Sequence, residues 1–352
     1  MILFEWVLTL LLAAVALTML AGRLGVPYPS LLAIAGAAIA FLPFGPNIRI
    51  DPELALALFV APALVDAAFD TSPRELLRNA RPVGSLAVVL VVLTTAVVAF
   101  LGWRFAGLPV AAAIALGAIV APPDATAATA VMKDLNIPQR IGLILQGESL
   151  LNDATALLIY RVAVATMMGT FTLTHDAPIL LIATVGSVAA GYLIARFYML
   201  VSARIHDAPS NTIMQFVATF GVWLLADRLK LSPIITVVAY AMTLAQVTPG
   251  RIGARLRVSS YAVWETAIFI VNVLAFVLMG LQARPIIERL SQQQRVGSMI
   301  FGIAVLAAVI LVRILWIGFY RTANALKWRW SRAGPDETVP AAAFTRGAIF
   351  VS

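Results

Sequence analysis

Cysteine is absent from the 352 residues, which excludes disulfides and thiolate metal centres. Histidine is nearly absent too: His175 and His206 both fall in expected loops, which argues against an imidazole metal site. Charge is scarce, because Asp, Glu, Lys and Arg make up 12% of the chain, against about 25% in a soluble domain. The alternating segments of roughly ten residues that mark a membrane barrel are missing. No basic stripe is interleaved with aromatics, so the net charge of +8 does not indicate a nucleic-acid partner. The N-terminus has no basic n-region, and its first positive charge, Arg23, follows the apolar run. Residues 2–22 therefore read as a retained spanning helix and not as a signal peptide. What the chain does have is apolar residues, 61% of the total. They describe an integral membrane protein of α-helices.

Apolar runs at 2–22, 27–44, 52–70, 82–105, 109–132, 138–168, 177–203, 211–227, 232–248, 259–284, 297–323 and 339 onward predict the spans. Each except the last is near or above the roughly 17–25 residues that a crossing requires. The connections are short and carry turn formers, as in Gly25-Val26-Pro27, Thr71-Ser72-Pro73 and Thr248-Pro249-Gly250. No long linker and no soluble domain is expected. One set of alternate loops holds fifteen Lys and Arg and the opposite set seven. The richer set is expected on the cytoplasmic side, which puts the N-terminus outside, in a plasma membrane of bacterial inner-membrane type. The last run covers only about a dozen residues before Ser352, and a helix stopped within the bilayer leaves carbonyls unsatisfied. The expectation is a chain truncated within helix 12, with at least one further span to follow.

Polar residues inside these runs are the candidate site. Gly147-Glu148-Ser149-Leu150-Leu151-Asn152-Asp153 puts two carboxylates, a hydroxyl and an amide into one span. A charge at that depth costs about 2.5–3.5 kcal/mol or more, so it defaults to an ion pathway or proton relay. On a helix, residues i and i+4 share a face. Ser149 and Asp153 form one small oxygen cluster, suited to a hard monovalent cation, and Glu148 and Asn152 occupy the neighbouring face. Asp153 is read as the ion and proton carrier. Glu148 is read as the structural member, needing an intramembrane Arg as partner. The opposite assignment of the two carboxylates remains open.

In span five, Pro122-Pro123 removes two backbone donors, so the helix must break there. Asp124 then starts a new half-helix, where it caps the positive dipole end or meets the ion, two compatible roles. Asp66 lies deeper in span three than Asp70 and is a candidate for the cation pathway. Glu265 reads as a charge at the N-terminal end of span ten. Thr345-Arg346-Gly347-Ala348 marks a second interrupted span. Paired interruptions in two halves of a chain point to an inverted-repeat transporter with a midplane site. An intramembrane aspartyl protease needs Tyr-Asp and Gly-x-Gly-Asp settings, and neither occurs.

Together these motifs resemble the sodium/proton exchanger family, the NhaP-like and NHE-like branch of the monovalent cation:proton antiporters. The Glu148–Asp153 segment with its Asn-Asp pair, Asp124, Trp264-Glu265 with Asn272 and Gly280-Leu281-Gln282, Arg313, and Thr345-Arg346-Gly347-Ala348 follow that family's order. The resemblance implies an all-α, 13-helix antiporter fold with inverted repeats and broken helices. It also implies a partition of the chain. Residues 1–80 and 169–290 would form a dimerising scaffold (helices 1–3 and 7–10). Residues 81–168 and 291–352 would form the ion-carrying core (helices 4–6 and 11–12), moving like an elevator. Na+ would be ligated by Asp153, Ser149 and Asp124, with Asn152 contributing and Asp66 nearby. Glu148 would pair with Arg346 or Arg313. The chain would be a homodimer in the lipid bilayer, exchanging a monovalent cation for H+ one for one, without a cofactor. K+/H+ exchange, or a truncated remnant that does not transport, are the alternatives. Where the family often has Thr-Asp-Pro in helix five, this chain has Pro123-Asp124-Ala125, so a Thr ligand is missing.

Overall fold

The computed structural model describes residues 2–42, 51–123, 139–169, 173–205, 207–247 and 254–330. Among them the secondary structure is helical, with no strand. The helices are α1 (Ile2–Leu24), α2 (Tyr28–Ala40), α3 (Pro52–Ala55), α4 (Ala61–Asp70), α5 (Pro73–Arg78), α6 (Ala80–Gly84), α7 (Val91–Phe105) and α8 (Val110–Val120). They continue as α9 (Gln139–Met167), α10 (Leu173–Ser202), α11 (Ala208–Arg228), α12 (Pro233–Val247), α13 (Ala254–Leu281), α14 (Ala283–Glu288) and α15 (Gln292–Trp330). Two π-helical turns, Leu56–Val60 and Ser85–Leu90, join α3 to α4 and α6 to α7 into continuous spans. Six helical stretches among the described residues are long and apolar enough to cross a membrane. Helices are the natural answer for such a chain, since each closes its own backbone bonds and leaves nothing for lipid to satisfy.

The helix starts follow local chemistry. Asp51 accepts from the backbone N–H groups of Glu53 and Leu54, at 3.0 and 3.1 Å, with Pro52 in the first turn of α3. Asp207 caps α11 through Ser210 N–H at 2.9 Å. Two sequence expectations are corrected. His175 lies within α10 and not in a loop, because the helix begins at Leu173, where Asp176 suits the positive end of its first turn. Glu265 is exposed and stands in the interior of α13, which begins at Ala254, so it is not a charge at the helix N-terminus. Apolar runs end where charges begin, whereas a helical backbone can continue into water.

The chain divides into two compact units, residues 1–72 with 179–291 and residues 73–178 with 292–352. In the first unit α2 crosses α13 at very close range. A Cβ on Gly280 would collide with the Ala33 carbonyl oxygen, and one on Gly36 with the Val277 carbonyl oxygen. Leu32, Val273, Val277 and Leu281 pack around the crossing as a buried cluster. Arg284 fastens the end of α2, donating to the carbonyls of Ala40 and Leu42 at 3.3 and 3.2 Å. Ser187, on α10, donates to Ala183 O and accepts from Ser232 N–H at 2.8 Å, tying α10 to the start of α12. In the second unit α7 and α8 form a hairpin through Gly107, whose φ of +65° suits a residue without Cβ. α8 packs against both α7 and α9.

Candidate functional site

The site is built on α9, in the second unit. Glu148 and Asn152 are fully buried, while Ser149 and Asp153 are half-buried on the adjacent face. The arrangement follows from helix pitch, which sets each i, i+4 pair on one stripe and adjacent residues about 100° apart. Buried Ile141, Ile144, Leu145 and Leu150 hold α9 in this rotation.

Arg313 reaches Glu148 from α15. Its Nη1 donates to Oε1 at 2.6 Å and its Nη2 to Oε2 at 2.9 Å, a two-pronged pairing of two side chains that are both about 95% buried. The planar guanidinium suits this geometry, and the pair carries no net charge into the apolar interior. Each ion taken alone would cost several kcal/mol to desolvate. One helical turn on, Trp316 Nε1 donates to Ser85 Oγ at 3.1 Å, at the first residue of the π-helical turn before α7. Sequence patterns gave no sign of that bond, because an indole and a serine hydroxyl in separate apolar runs show no spacing in common. Ile144, Leu86, Leu90 and Val312 pack beside these two bonds.

α8 ends at Val120, just before Pro122 and Pro123. The stop has the cause read from sequence, two residues without N–H groups. Asp124 lies outside the described residues, as do Arg346 and the run from 339 onward. Asp66 stands half-buried on α4, in the first unit. The structure therefore brings together Glu148 and Arg313, and it places Ser149, Asn152 and Asp153 on the same helix as Glu148.

Comparison with known proteins gives a consistent picture. The family model of the sodium/hydrogen exchanger transmembrane region matches residues 8–348. The uncharacterized Na(+)/H(+) exchanger YjcE of Escherichia coli is 33% identical over 310 residues, covering 83% of this chain and 56% of that protein. The sodium, potassium, lithium and rubidium/H(+) antiporter of Bacillus subtilis is 29% identical over 329 residues, covering 89% of this chain and 49% of that protein. The chain thus spans about half the length of the curated relatives it matches. In fold it is similar to the sodium proton antiporter MjNhaP1 of Methanocaldococcus jannaschii, with TM-scores of 0.68 and 0.69 in two structures at 17% and 19% identity. Those structures cover 89% and 97% of this chain, which covers 78% and 84% of theirs. An all-helical membrane chain whose motifs, fold and relatives agree in this way belongs to the sodium/hydrogen exchanger family.

Proposed function

We propose that this chain forms the membrane region of a secondary antiporter that exchanges a monovalent cation, Na+ first among them, for H+, with Asp153 as the carrier. The observation that carries the reading is the division of labour on α9. Arg313 neutralises Glu148 in the buried interior, and Asp153 shares a half-buried stripe with Ser149. One carboxylate suffices for exchange, because a proton and a cation compete for the same oxygens. Ser149 and Asp124 would complete the cation's oxygen shell, and Asn152 would help ligate or orient it. The second unit would be the ion-carrying body, alternating its exposure between the two sides. The first would be the scaffold through which two copies associate in the bilayer.

Cation choice rests on the same oxygen cluster. The name of the Bacillus subtilis relative covers sodium, potassium, lithium and rubidium. K+ or Li+ exchange is the second reading, and a hard-oxygen site accepts each of them.

The test uses purified protein in sealed vesicles containing a pH dye. Addition of Na+, K+ or Li+ to one side is expected to drive proton movement in the wild type. In the Asp153→Asn variant, folded and inserted to the same extent, that movement is expected to vanish. Cation-driven proton flux at wild-type rate in the variant would remove Asp153 from the carrier role.

A further inference from the structure

A groove runs between the π-helical turn before α7 and α15. Pro82, Ser85 and Leu86 line one side of it, and Trp316, Ile317 and Tyr320 the other. Ser85 Oγ and Trp316 Nε1 bond to each other, so neither asks for a partner in the groove, and its walls are mostly hydrocarbon and ring. Both walls stand at the end of an apolar span, one beginning at Ala80 and the other ending at Thr322. Trp and Tyr at that level suit the boundary between hydrocarbon and headgroups.

Three arginines stand at the end of this groove. Arg78 precedes Pro82 by four residues, Arg81 precedes Ser85 by four, and Arg321 follows Ile317 by four. Each therefore lies one helical turn from a lining residue, on the same face. Helical bonding carries through Asn79, whose N–H donates to Glu75 O and whose carbonyl accepts from Val83 N–H. All three arginines are exposed, and none has a hydrogen bond or ion pair with another described residue. Glu75, the one acid between 73 and 90, lies two turns from Pro82. The opposite face of α5 and α6 is pinned to α9. Asn79 Oδ1 accepts from Arg140 Nε at 3.0 Å, and Leu76 and Val83 lie against Gly147. Packing on that side leaves Arg78 and Arg81 turned outward.

We infer that this place binds one anionic phospholipid, with an acyl chain in the groove and the phosphate among Arg78, Arg81 and Arg321. An apolar slot ending in unpaired guanidinium groups matches both parts of such a molecule. A soluble anion would use the arginines and leave the groove idle. A zwitterionic phospholipid would fill the groove and leave the positive charge without a net counter-charge. The lipid site stands on geometry and charge, independently of the antiport reading, and its test requires no transport.

The test measures Tm of the purified protein in a neutral detergent. Added phosphatidylglycerol is expected to raise Tm by about 3–6 °C, because a ligand of the folded state stabilises it. Phosphatidylcholine and inorganic phosphate at the same concentration are expected to give less than half that rise. The triple variant Arg78→Gln, Arg81→Gln, Arg321→Gln is expected to lose the rise. A matched triple variant of exposed arginines elsewhere, Arg23→Gln, Arg196→Gln, Arg228→Gln, is expected to keep it. A second measurement uses the wild type alone: phosphatidylglycerol with a photoactivatable group in its acyl chain is expected to crosslink within 82–86 or 316–320. A rise that survives in the first triple variant, or that phosphatidylcholine matches, overturns the proposal. A rise that inorganic phosphate matches reduces the site to an anion site and overturns the lipid. Crosslinks absent from both segments overturn the placement in the groove.

Discussion

At the scale of single residues, the Glu148–Arg313 pair joins two side chains that are both buried. Its worth lies less in net attraction than in the penalty for losing one half, because the remaining charge is stranded in an apolar interior. Glu148→Ala and Arg313→Ala are each expected to cost about 3–5 kcal/mol, read as a fall in Tm in detergent. The double variant Glu148→Leu with Arg313→Leu is expected to melt well above either single variant, since no charge is then left uncompensated. A double variant no more stable than the singles would mean that the pair is not what the singles disrupt. Asp153→Asn, on the half-buried stripe, is expected to melt close to wild type.

At the scale of helices, close approach sets the sensitivities. The α2–α13 crossing has backbone atoms where the Cβ of a residue at 280 would stand, so even a methyl group must push the helices apart. Overpacking of this kind costs about 1–3 kcal/mol. Gly280→Ala is therefore expected to lower thermal stability. Gly221→Ala on α11, where nothing lies within 4 Å, is expected to be neutral or mildly stabilising, since alanine favours the helix. Matched melts of the two variants check this, and equal destabilisation would refute the tight crossing. The Trp316–Ser85 bond works at the same scale, holding α15 to the π-helical turn before α7, one turn from Arg313. A π-helical turn leaves backbone groups out of the regular i→i+4 pattern, and such turns often occur at functional sites.

At the scale of the whole molecule, the prediction concerns charge movement. Asn152 stands where a second carboxylate would make a two-aspartate site, and an amide carries no proton. In the antiport proposed for this chain each swing then carries one cation or one proton, and the exchange is electroneutral. Membrane potential would otherwise contribute about 2.3 kcal/mol per net charge per 100 mV. Exchange measured in vesicles clamped with K+ and valinomycin is expected to be the same at every voltage. A rate or end point that shifts steadily with voltage would require more than one proton per cation and would implicate Asp124 as a second carrier.

The sequence alone determined the class of this protein. Hydrocarbon forbids unsatisfied backbone, so long apolar runs could only be helices, and carboxylates within those runs singled out the Glu148–Asp153 segment before any coordinates. The i, i+4 rule separated the Glu148–Asn152 stripe from the Ser149–Asp153 stripe, because helix pitch is local and needs no tertiary information. Pro122 and Pro123 likewise marked the end of α8 through their missing N–H groups. Helix ends were less legible at Leu173 and Ala254, where a helical backbone runs past its apolar run. The rest was decided by packing. Arg346 and Arg313 were equivalent in the sequence, and only the fold carries Arg313 across 165 positions to Glu148. Trp316 reaches Ser85 over a separation of 231, and Thr95 is left without a bond. Which distant side chains meet depends on how helices cross, and crossings are set by small residues such as Gly280 whose neighbours no local pattern names.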